Sequence, residues 1–204
     1  LSFVDTPEYA ACLGVTTDAY PGYEMQRALV VTQAWIADLF FVRGKREAQL
    51  DWIVHLQGVP SYSAAQRTGE TSLGDNAGYQ HLQDVVTYDA QADFSASLVQ
   101  TDGASLAVFC PAATGTTETT FTGTGIGYRL TQRVPFILRR RNASTTLFAA
   151  VYDASGAMKS VTQHRGERPR DHILVIDDSQ ITVHFPPSDQ WDDPTANLIK
   201  VHVP

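Results

Sequence analysis

The sequence predicts an all-β chain, a large antiparallel two-sheet β-sandwich that takes up residues 1–204 as a single domain. Three observations carry this expectation. Charged residues are only 18% of the chain and hydrophobic ones 43%, a balance that suits strands and turns better than long solvated helices. Runs rich in Val, Ile, Thr and aromatic residues recur at short intervals, punctuated by Gly, Asp, Asn and Pro. No amphipathic helical stretch exceeds about three turns, and no repeat of fixed period is present.

In order along the chain, the first predicted strand covers 11–16, an apolar run ending at Thr17-Asp18. Tyr20-Pro21-Gly22-Tyr23 supplies turn chemistry, and strands follow at 27–33 and 35–42, the latter reading Trp35 to Val42 with little polar interruption. Arg43-Gly44-Lys45 reads as a tight polar turn into a strand over 51–56. Residues 62–77, rich in Gly, Ser and Thr, are expected to be poorly ordered. Further strands are predicted at 85–88, 92–100 and 105–111, with Thr101-Asp102-Gly103 turning between the last two. Apolar and polar residues alternate roughly over 92–100, whereas Leu106 to Cys110 is apolar throughout and should be buried on both faces.

Residues 112–127 are expected to form a mobile loop, because Gly and Thr dominate them. Gly123-Thr124-Gly125-Ile126-Gly127 lacks the following helix and the acidic residue that a nucleotide-binding glycine run needs. Strands at 129–134, 136–141 and 145–152 come next, then a turn at Ala154-Ser155-Gly156. Residues 165–171 are expected to be irregular, and strands at 172–177, 181–185 and 198–203 complete the series.

A net charge of −7 argues against a general nucleic-acid binder, which usually carries a basic balance or stripe. No apolar run approaches the ~18 residues of a membrane span, and the start has no signal-type core. Opening on Leu1, the chain is expected to be a piece of a longer polypeptide. Cys12 and Cys110 sit in strand-like runs with no metal or redox spacing. Two buried thiols is the plain reading; pairing across two sheets stays open, since bridging depends on Cα separation.

The segment 20–58 carries a resemblance. Tyr20-Pro21-Gly22, with Arg27 five positions on, leads to a strand bearing Asp38 and then to one that closes Trp52-Ile53-Val54-His55. This resembles the C-terminal region of the heparinase II/III-like polysaccharide lyases. Phe136 to Arg141 followed by Thr145 to Tyr152 is similar to that family's late Arg-bearing hairpin. The resemblance implies a β-sandwich of the lyase C-terminal type, joined in the parent protein to an N-terminal α/α toroid. It also implies β-elimination of uronate-containing anionic polysaccharide in the cleft between the two, a periplasmic or secreted location, and a zinc ion. By that resemblance His55 is a metal ligand, the other ligands and the catalytic acid and base lie upstream of Leu1, and this chain alone is inactive.

Such a lyase removes a proton α to a carboxylate and expels an oxygen, which requires a base, an acid and a cation to neutralise the carboxylate. Tyr79 and His81, after a Gly-rich loop, are candidates to contact a sugar; a merely solvated surface pair is the bland alternative. Arg139, within Arg139-Arg140-Arg141, is a candidate for a uronate or sulfate because its planar fork bonds two oxygens at once. On a strand these three arginines alternate between faces, so salt-bridged positions compete with that role. Arg43, Lys45 and Arg46 are expected to be exposed, and His164, His172, His184 and His202 to be structural or superficial. A rival reading is a non-catalytic carbohydrate-binding or structural sandwich, with Tyr62, Tyr79 and Trp191 as candidate stacking rings.

Overall fold

A computed structural model describes residues 2–63, 72–89, 93–113, 115–191 and 198–202. Among these there is no α-helix, only two 3-10 turns, Tyr79–His81 and Ser188–Gln190. The strands are β1 (Ser2–Asp5), β2 (Ala10–Thr16), β3 (Tyr23–Val31), β4 (Trp35–His55), β5 (Val59–Tyr62), β6 (Gln83–Asp89) and β7 (Phe94–Val99). They continue as β8 (Ser105–Cys110), β9 (Glu118–Ile126), β10 (Arg133–Asp153), β11 (Val161–Arg165), β12 (Asp171–Ile176), β13 (Ser179–His184) and β14 (Ile199–His202).

Two antiparallel sheets result. In the larger one β1-β2-β3-β4-β10-β8-β7-β5 lie side by side, and β9, backed by β6, takes the other half of the β10 edge. The smaller sheet is β11-β12-β13-β14. The two pack through a shared core in which Ala28, Val30, Leu39, Leu147 and Val151 of the large sheet meet Leu174, Ile181 and Val183 of the small one. A second core lies on the opposite face of the large sheet, where Trp52, Leu56 and Ile137 are packed with Leu98, Val108, Phe148 and Ala150. A third, smaller cluster of Leu73, Phe121, Phe136 and Leu138 sits under the Tyr79 turn.

The central pair β4 and β10, 21 residues each, differs from the expected hairpins. Arg43-Gly44-Lys45 does not reverse the chain; it lies in a bulge, with the register jumping between Ala143–Ala48 and Thr145–Arg43. Gly44 is needed there because the Tyr23 ring lies where a Cβ would stand. Across the bulge Ser144 alone stands opposite residues 44–47 of β4, and the inward set of β10 passes from odd to even numbers: Ile137, Arg139 and Arg141 face the second core before it, Phe148 and Ala150 after it. Residues 129–132 form the turn before β10 and no strand.

The expected loop 112–127 is also corrected, since 118–126 is the buried strand β9. Its glycines serve close approach. Gly123 lies under the Phe136 ring and the Gln83 carbonyl, and Gly125 under the His55 imidazole. Residues 64–71, within the expected irregular stretch 62–77, lie outside the described residues, and Tyr62 belongs to β5. Strands β1, β5 and β11 are further elements that composition did not reveal.

Candidate functional site

Strand β3 begins at Tyr23, opposite Gly44. Beyond that point β4 pairs only with β10 among the described residues, so its edge from 45 to 55 faces a cleft. The cleft has a volume of about 710 Å³, within the range of small-molecule sites. Tyr20 and Tyr23 stand on one side, Asn76, Ala77 and Tyr79 on the other, with Trp52 in its lining. Tyr20 is 65% exposed, so an aromatic ring stands at the rim.

Two ion pairs border the cleft. Arg140 grips Asp51 with both arms of its fork, Nε to Oδ1 at 2.9 Å and Nη2 to Oδ2 at 2.8 Å. Its Nη2 also donates to the Leu73 carbonyl at 3.0 Å and the Tyr79 hydroxyl at 3.1 Å. The Tyr79 hydroxyl in turn donates to Asp51 Oδ2. Partial burial, followed by the Asp51 carboxylate, raises the Tyr79 phenol pKa above its ordinary value, while Arg140 opposes the shift. Tyr79 is therefore a fixed neutral phenol at the cleft wall. At the other end Arg27 donates from Nε to Oδ1 of the buried Asp38 at 2.8 Å, while its side chain stays half exposed to the cleft. That hydrogen bond, working against partial burial, raises the Arg27 pKa.

The sequence candidates separate. Tyr79 lines the cleft; His55 and His81 do not. Both histidines are exposed. His55 rests over Gly125 with its ring 6.3 Å from that of Phe136, and partial burial lowers its pKa. His81 ends the 3-10 turn, and its carbonyl accepts from Arg133 Nη1 at 3.1 Å. Arg139 is the one that geometry removes. It is fully buried, with Nε on Glu118 Oε1 at 2.7 Å, Nη1 on the Ala149 carbonyl at 3.0 Å and Nη2 on the Pro111 carbonyl at 2.8 Å. A fork so occupied has nothing left for a substrate, and the outward arginines of this region are Arg140 and Arg27. Strand alternation could have placed Arg140 opposite Arg139; the partnership with Asp51, 89 positions away, has no local signal.

Cys12 and Cys110 are free thiols, and burial pushes the Cys110 pKa up to about 11. Arg43, Lys45 and Arg46 are exposed. Tyr62 packs against Tyr88 and Phe94, and the Trp191 indole donates to the Pro186 carbonyl at 3.1 Å; neither lines the cleft with Tyr79. Among the described residues no three His, Cys, Asp or Glu side chains come together as a metal site, so these residues do not by themselves fit zinc. No described helix is long and apolar enough to cross a membrane.

No sequence-family model matches the chain, and no curated protein matches it. Solved structures do. Heparan sulfate lyase HepC from Pedobacter heparinus matches over 91% of this chain and 27% of its own, at 13% identity and a TM-score of 0.54. A heparinase III structure matches over 92% of this chain and 27% of its own, at 12% identity and a TM-score of 0.57. The fold is heparinase-like. A second heparinase III structure agrees, at 8% identity and a TM-score of 0.56, over 89% of this chain and 26% of its own. At such identities the heparinase-like fold alone is shared, and this chain spans about a quarter of the length of the lyases it matches.

Proposed function

We propose that this heparinase-like chain is the C-terminal β-portion of a polysaccharide lyase that cleaves uronate-containing anionic polysaccharide by β-elimination. The observation that carries the reading is the extent of the likeness, about nine-tenths of this chain on heparan sulfate lyase structures, together with an aromatic-walled cleft along the β4 edge. In this reading the chain forms one wall of the substrate cleft and an N-terminal α/α toroid forms the other. Tyr20 and Tyr23 offer ring faces to a sugar, Arg27 meets a carboxylate or sulfate, and the held Tyr79 hydroxyl orients the sugar beside it, with His81 outside the cleft lining. The catalytic acid and base belong to the toroid, so this chain alone turns over nothing. The enzyme works in the periplasm or outside the cell, where such polymers are met.

The test is ultraviolet absorbance of unsaturated uronate product, with the longer protein acting on heparan sulfate and related polymers. Product is expected; none on any uronate polymer removes the assignment. In that longer protein His55 would be one zinc ligand, completed by groups from upstream, the bound zinc supplying a fixed positive charge. His55→Ala is expected to lower the zinc content measured by atomic absorption, and an unchanged content would exclude His55 as a ligand.

A further inference from the structure

A second cavity, of about 440 Å³, lies between the sheets, where the edge strand β11 faces the β10 segment that follows the bulge. Its polar lining is cationic or neutral: Arg165, His164, Gln163, Thr145 and Thr116, with His172 beside them and no carboxylate among them. Arg165 is exposed and makes no hydrogen bond or ion pair among the described residues, unlike the partnered Arg168 and Arg170 nearby. Gln163 holds the Leu147 carbonyl by one long hydrogen bond, 3.4 Å from Nε2, and its Oε1 is enclosed without a partner. An amide held so lightly turns at small cost to accept from a hydroxyl, and an enclosed unpaired acceptor gains by doing so.

From this geometry we infer that the inter-sheet cavity binds a small hydroxylated anion, a uronate sugar being the fitting class. The carboxylate pairs with the Arg165 guanidinium, and a ring hydroxyl donates to Gln163 Oε1. The threonine hydroxyls serve either partner. The site is separate from the β4-edge cleft, with which it shares no lining residue. The choice of a uronate rests on the lyase reading; the cationic, carboxylate-free lining does not.

Nuclear magnetic resonance titration of the protein with glucuronate, glucose and inorganic sulfate tests this, followed on the His172 ring and Gln163 amide signals. Glucuronate should shift both in a saturable way, at least tenfold more tightly than glucose. Arg165→Gln should weaken glucuronate at least tenfold without changing the melting temperature, and Gln163→Leu should weaken glucuronate but leave sulfate unchanged. Absence of shifts, equal affinity for glucose, or full affinity in Arg165→Gln overturns the inference. Sulfate binding as tightly as glucuronate overturns the hydroxyl recognition. The readout is binding alone, so a longer protein that makes no unsaturated product would sink the lyase reading and leave this site standing.

Discussion

Glu118→Gln is expected to lower the unfolding free energy by about 3–5 kcal/mol, because it leaves two buried guanidinium groups without their counter-charge. Glu118 lies on β9 between Arg139 and Arg141 of β10, accepting from Arg139 Nε at 2.7 Å and from Arg141 Nε at 2.6 Å. Both arginine side chains are fully buried and the glutamate is nearly so. Arg141 is held further by Thr146 Oγ1 at 2.8 Å and the Leu147 carbonyl at 2.6 Å, and it lies 4.4 Å over the Phe148 ring. Even so, burial lowers its pKa to about 10, the desolvation outweighing the help of Glu118. Two buried cations thus share one anion, and removing it leaves both without a counter-charge. Urea unfolding monitored by tryptophan fluorescence measures the loss. A change under about 1 kcal/mol would show that the trio is better solvated than its burial implies.

The second large effect is a loss of stability between pH 6.5 and 4. His172 is 8% exposed, its ring set between Phe41 at 5.8 Å and Phe185 at 5.7 Å, and its Nδ1 has no partner among the described residues. Burial first, then the positive charges of Arg165 and Arg170, lowers its pKa to about 4, with Asp171 acting the other way. The unfolded chain therefore binds this proton through a window in which the folded chain does not, and acid favours unfolding. From pH 6.5 down to 4 the loss from this group approaches about 3 kcal/mol. Asp171, paired with Arg168 and His184, and Asp153, held by Ser155 and Met158, have pKa values below the ordinary one despite burial; their stabilising contribution is lost below this window. His172→Phe should flatten the stability profile over the window, as read from denaturant midpoints against pH. An unchanged slope would move the acid sensitivity elsewhere.

The fold was largely legible because strands that pack on both faces announce themselves by apolar runs, as in Leu106 to Cys110 and Leu147 to Val151. What escaped was set by distant partners. Residues 118–126 read as a loop because glycines alternate through them, yet those glycines are where Phe136 and His55 from neighbouring strands need room. Arg43-Gly44-Lys45 read as a turn because a bulge and a turn use the same residues. At the site, Tyr79 was found by composition, whereas Asp51 and Arg140 became partners only through the β4–β10 register. Arg139 was chosen for its chemistry, and only its place on the inward side of β10 disqualifies it.

Steady-state kinetics of the proposed longer lyase carrying Tyr20→Ala show whether the β4-edge cleft is one wall of its substrate site. Tyr20 stands exposed at the rim, so its removal leaves the cores intact. A binding contact made equally in ground and transition states raises KM and leaves kcat unchanged. A several-fold rise in KM for heparan sulfate at constant kcat is expected; a KM equal to that of the unaltered protein would show that this cleft does not hold the polymer.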